Sequence, residues 1–113
     1  MPETVASERK KRAAEARARE KARRERAQVE ARRKSLESLA GKENDLWSAV
    51  ENSIAAKKAK SYDEAVSLLQ DLHDLAQLKG KSSEFKARMG ALERAHSAKG
   101  TLIERFRKAG LLE

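Results

Sequence analysis

Thirteen lysines and arginines crowd the stretch from Glu8 to Lys34, which reads ERKKRAAEARAREKARRERAQVEARRK and holds only five glutamates. That segment carries +8, the net charge of the whole 113-residue chain; the rest of the sequence has thirteen basic and thirteen acidic residues and is formally neutral. A like-charge excess of this size attracts phosphate through counterion release, with no need to read bases. The side chains expected to make such contacts are Arg9, Lys10, Lys11, Arg12, Arg17, Arg19, Arg23, Arg24, Arg26, Arg32 and Arg33. Two other readings of the same charge stay open: a solubilising spacer helix held by its own ion pairs, and a disordered basic tail.

Residue types that carry covalent or metal chemistry are scarce. There is no cysteine, which excludes disulfides, thiolate catalysis and Cys-ligated zinc. The two histidines, His73 and His96, lack the HExxH spacing that would make a metal site, and structural roles account for both. Asp63/Glu64 and Asp71/Asp74 are acid pairs that helix capping and solvation explain. The five glycines sit singly, so no glycine-rich phosphate loop exists, and Gly90 falls in the middle of a predicted helix, where it suggests close helix packing. The expectation is a non-enzyme with no catalytic residue, metal, cofactor or small-molecule substrate. Trp47, the single tryptophan, reads as a core anchor, with an exposed partner-binding anchor as the alternative.

The basic segment must be positioned by a helix. Alanine, arginine, lysine, glutamate and glutamine are the strongest helix formers, and glycine and proline are absent from it. Glu8 and Arg12, Glu15 and Arg19, Glu20 and Arg24, and Glu30 and Lys34 stand four apart in the favourable order, each pair adding about 0.2–0.5 kcal/mol. At about 1.5 Å per residue the rod is about 40 Å long. Its apolar residues are alanines and Val29, so it has neither the a/d seam of a coiled coil nor the bulky face of a membrane-surface helix. Thr4 or Ser7 is the expected cap.

Leu36, Leu39, Leu46, Trp47, Val50 and Ile54 then recur at intervals of three and four, predicting one helix from about residue 6 to 59. The rival is a break at Gly41 with Asn44 capping a new helix. Ser61-Tyr62-Asp63-Glu64 has the form of a capping box and opens a helix with Tyr62, Ala65, Val66, Leu69, Leu72 and Ala76 on one face, widened by Leu68, Leu75 and Leu78. Ser82 or Ser83 starts the next, with Phe85, Met89, Leu92 and Ala95. Thr101-Leu102-Ile103-Glu104 opens a short last helix, after which Leu111 and Leu112 fold back. Lysine clusters at 57, 58 and 60 and at 79, 81 and 86 either extend the phosphate track or complement helix C-termini.

The expected architecture is all-α: a basic helical arm, residues 1–35, projecting from a compact antiparallel bundle of three to four helices, residues 36–113, with the first bundle helix continuous with the arm. A core this small leaves room for self-association through exposed apolar surface. The N-terminus lacks a secretory signal, and no stretch approaches the ~20 apolar residues that span a bilayer, so a cytoplasmic protein with no membrane partner is expected.

Two resemblances attach to these residues. Trp47 with Tyr62-Asp63-Glu64-Ala65-Val66 resembles a single tetratricopeptide-type helical hairpin, with a longer Trp-to-Tyr spacing and no second copy. The wider pattern, an Ala/Arg arm followed by Trp47, Val50, Ile54, the Tyr62–Val66 run, Leu69, Leu72, Phe85 and Arg88, resembles small uncharacterised actinobacterial helical proteins, a module also appended to some SWIM zinc-finger proteins. It implies the helical fold and a bacterial cytoplasm. The function expected from the residues is a binding module whose arm contacts DNA or RNA backbone while the bundle docks a protein partner or a second copy. A protein-interaction scaffold with the arm as a rigid charged spacer is the alternative.

Overall fold

The sequence's 3.6-residue periodicities become helices throughout the computed structural model, which describes residues 2–112, with side chains described from Ser7 to Leu112. These residues form α1 (Pro2–Leu39), α2 (Glu43–Ala55), α3 (Ala59–Leu78), α4 (Ser82–Ala95) and α5 (Gly100–Lys108), and no strand occurs among them. The fold is all-α. No helix among the described residues is long and apolar enough to cross a membrane. The chain divides into two compact units, Met1–Ser35 and Leu36–Glu113, with α1 running from the first into the opening turn of the second.

The first unit is helix alone, without a glycine or a large apolar stripe from Ser7 to Ser35. Both candidate caps, Thr4 and Ser7, fall inside α1, and the Thr4 side chain lies outside the described residues.

In the second unit α3 is the central helix, packing against α2, α4 and α5. Short turns reverse the chain between α2, α3 and α4. The ion pair between Lys79 Nζ at the end of α3 and Glu43 Oε1 at the start of α2, 3.1 Å, joins opposite ends of the two helices, as their antiparallel packing requires. The core joins Trp47, Val50 and Ile54 from α2 and Tyr62, Ala65, Leu69 and Leu72 from α3. Phe85, Met89 and Leu92 from α4 and Leu102 and Phe106 from α5 complete it. Leu111 and Leu112 pack back against this core, half-buried, and Leu36 is buried at the end of α1. Leu78 does not widen the apolar face of α3; it is exposed.

Three expectations about helix boundaries are corrected. The helix does not continue from residue 6 to 59 and α2 is not continuous with the arm: α1 ends at Leu39, and Gly41 adopts φ +86, a left-handed conformation that only glycine takes at little cost. Asn44 does not cap α2; the flanking residue is Lys42, and Glu43 turns its carboxylate onto its own backbone N–H instead. Neither sequence that resembles a capping box acts as one. Lys57 turns left-handed (φ 56) and Lys58 is extended (φ −115, ψ 146), so α3 starts at Ala59 and Ser61 lies within its first turn. Thr101 likewise lies inside α5, which Lys99 precedes. Close helix packing does not explain Gly90: a Cβ there would meet only the Arg94 guanidinium, at 3.4 Å.

Candidate nucleic-acid interface

On the surface of a helix, a basic residue meets acidic neighbours three and four positions away. Arg9, Lys10, Lys11, Arg12, Arg17, Arg19, Arg23, Arg24, Arg26, Arg32 and Arg33 are all exposed, as are Lys21 and Lys34. One unbroken helix, α1, carries them all. At about 100° per residue they occupy every side of the helix. Arg9, Arg12, Arg19 and Arg23 lie on one side; Lys10, Arg17, Lys21 and Arg32 lie roughly opposite.

Glu20 is the hub of the middle segment. It accepts from Arg23 Nε at 3.0 Å and Nη2 at 2.6 Å, and from Arg24 Nε at 3.0 Å. The Arg23 guanidinium first, and Arg24 next, hold the Glu20 carboxyl below its ordinary range, and Glu20 in turn raises Arg23. Arg33 Nε donates to Glu30 Oε2 at 3.1 Å and draws that carboxyl down in the same way. Lys21 and Glu25 stand 3.9 Å apart. Toward the N-terminus, Arg17 Nε donates to the Ala13 carbonyl at 3.3 Å. Of the pairs expected four apart, Glu20 with Arg24 is formed, while Glu30 takes Arg33, three residues on.

Trp47 is placed differently from the exposed anchor considered above. It is 8% exposed and belongs to the core, its ring 5.8 Å from Phe85, with the Arg88 guanidinium 4.6 Å from its centroid. A residue so covered is a core anchor. Beside it lies a cleft of about 340 Å³ whose lining includes Trp47, Leu72, Leu75 and Phe85, with Lys81, Glu84 and Arg88 at its charged margin.

The histidines are held structurally. His73 meets Phe85 edge-on at 5.3 Å, with Nδ1 3.0 Å from Asp74 Oδ1. His96 bridges Glu51 Oε2 (3.3 Å) and Lys99 Nζ (3.1 Å). Among the described residues no cluster of histidine, aspartate and glutamate could hold a metal ion, and no buried polar side-chain atom lacks a partner. Lys60 lies in the first turn of α3, away from a helix C-terminus, whereas Lys79 is the residue that closes α3, its ammonium also paired with Glu43. The contact of Arg88 with Trp47 and that of Arg105 with Asp63 (3.0 Å) had no sequence signal, because both join residues about forty positions apart.

Comparison of the chain with protein-family models, with curated proteins and with solved structures found no match in any of the three.

Proposed function

We propose that this chain is a non-enzymatic binding module in which the basic part of α1 contacts nucleic-acid phosphate without sequence preference, while the bundle docks a protein partner or a second copy. The observation that carries the reading is that every arginine and lysine from Arg9 to Lys34 is exposed on one continuous helix, whose stretch from Glu8 to Lys34 has a formal excess of eight positive charges. The cleft beside Trp47 is the place on the bundle where a partner would find both an apolar floor and charged margins. The compartment that suits this reading is the cytoplasm.

A scaffold reading, with the arm as a charged spacer, draws support from Glu20 and Glu30, which turn part of the basic charge inward onto the helix itself. Fluorescence anisotropy separates the two. A labelled random-sequence duplex is titrated with the full chain and with Arg9, Lys10, Lys11 and Arg12 changed to glutamine, at about 50 to 200 mM salt. Phosphate binding gives log K falling with log salt by about 0.9 per phosphate neutralised, and a shallower slope for the variant. Absence of binding at the low end of that range leaves only the scaffold.

A further inference from the structure

We infer that the arm is a two-sided contact, one helix that holds two nucleic-acid duplexes together. The inference rests on the phosphate-contact reading and adds the geometry of its partner. A helix lying along the outside of a single duplex meets its phosphates with one side, so cations elsewhere add little to that contact. The cations of this helix are not confined to one side. Arg9, Arg12, Arg19 and Arg23 face one way, and Lys10, Arg17, Lys21 and Arg32 face roughly opposite, all exposed.

The distances decide what the second side can do. An α-helix with its side chains is about 10–12 Å across. The Debye length at physiological ionic strength is about 8 Å. Cations on the side away from a bound duplex are therefore screened from its phosphates and remain available to another strand of phosphate. The alternative use of a far side, packing on protein, requires apolar residues, and Val29 is the only large exposed apolar side chain among the described residues of this unit.

The test uses the full chain, with short random-sequence duplexes labelled separately with donor and acceptor, at about 150 mM salt, where the screening length is shorter than the helix is wide. Energy transfer between duplexes reports bridging, and anisotropy of a single labelled duplex reports binding. Two one-sided variants are compared: Arg9, Arg12, Arg19 and Arg23 to glutamine, and Lys10, Arg17, Lys21 and Arg32 to glutamine. A third, with Lys11, Arg12, Arg24 and Arg26 to glutamine, removes the same charge from around the helix. The expected result, compared at equal occupancy of the duplex, is transfer for the unchanged chain, weaker binding that keeps transfer for the spread variant, and weaker binding without transfer for both one-sided variants. Transfer that survives in the one-sided variants overturns the inference, since bridging would then come from two chains bearing one arm each. Binding without transfer by the unchanged chain also overturns it, as does loss of binding when one side alone is neutralised. Absence of binding by the unchanged chain overturns the phosphate reading itself, and this inference with it.

Discussion

If α1 contacts phosphate as proposed, replacing Glu20 and Glu30 together by glutamine should tighten duplex binding and loosen that helix. Glu20 engages Arg23 and Arg24 at 2.6–3.0 Å, and Glu30 engages Arg33. Phosphate would have to displace these carboxylates to reach the same guanidinium groups. Glutamine is close to glutamate in helix propensity, so the exchange removes charge rather than backbone preference. It raises the arm's net charge by two. With log K changing by about 0.9 per phosphate per decade of salt, each added phosphate contact is worth about fivefold in affinity near 0.15 M. The pair of substitutions should then tighten binding by about five- to thirtyfold and steepen the salt slope. Circular dichroism at 222 nm in the absence of nucleic acid should show helicity falling, because the i,i+3 and i,i+4 pairs are gone. Anisotropy and circular dichroism on the same preparation give both readouts. Unchanged or weaker binding alongside the loss of helicity would show that these arginines are committed to holding the rod, and would refute the phosphate assignment for this part of the arm.

Acidification acts on the same carboxylates. Glu20, Glu30 and Glu43 all titrate below the ordinary value of 4.5, so their stabilising contribution is complete above it and is lost as pH falls through the lowered values. Ellipticity should therefore drop reversibly on acidification below 4.5, and by less in the chain with Glu20 and Glu30 changed to glutamine. Lys57 holds φ 56 with an ordinary side chain. The left-handed conformation costs about 1–2 kcal/mol, against about 0.5–1 kcal/mol for glycine's extra freedom when unfolded. Lys57→Gly should thus stabilise the bundle by up to about 1.5 kcal/mol in urea denaturation, and a lower midpoint would contradict the strain. Phe106 is fully buried and ties α5 to the core. Phe106→Ala should cost about 3–5 kcal/mol by the same assay; a loss below about 1 kcal/mol would place α5 outside the cooperative unit.

The core was readable because its signal is periodic. Trp47, Val50 and Ile54, the stripe from Tyr62 to Leu72, and Phe85, Met89 and Leu92 each repeat at three or four, and each lies where that spacing puts it. Helix starts were less readable. Ser61 and Thr101 have the right residues at the right interval, but a cap forms only where the backbone turns, and here that is decided by Lys57, Lys58 and Lys99. Gly41 shows the same limit from the other side: the apolar phase runs through it without a slip, and only its positive φ reveals that the chain breaks there. The charge of the candidate interface was legible outright, since exposure follows from the absence of anything apolar to bury. Which carboxylate takes which arginine was not, because Glu20 and Glu30 each have basic neighbours at both three and four residues.

Stability and contact draw on separate resources in the two units. Apolar side chains hold the bundle together, and its charged pairs, such as Glu43 with Lys79 and Asp63 with Arg105, sit at the surface, where they contribute little. Among its described residues the arm buries no apolar side chain. Its helix rests on backbone propensity and on pairs made by the same arginines that would meet phosphate. Any polyanion that binds must compete with Glu20 and Glu30, yet it also supplies acceptors along the rod in their place. Salt weakens both partnerships together, so helicity and affinity should fall in parallel as ionic strength rises, whereas the bundle, built on burial, should be nearly indifferent. An arm that is merely a spacer would show the first of those declines without the second.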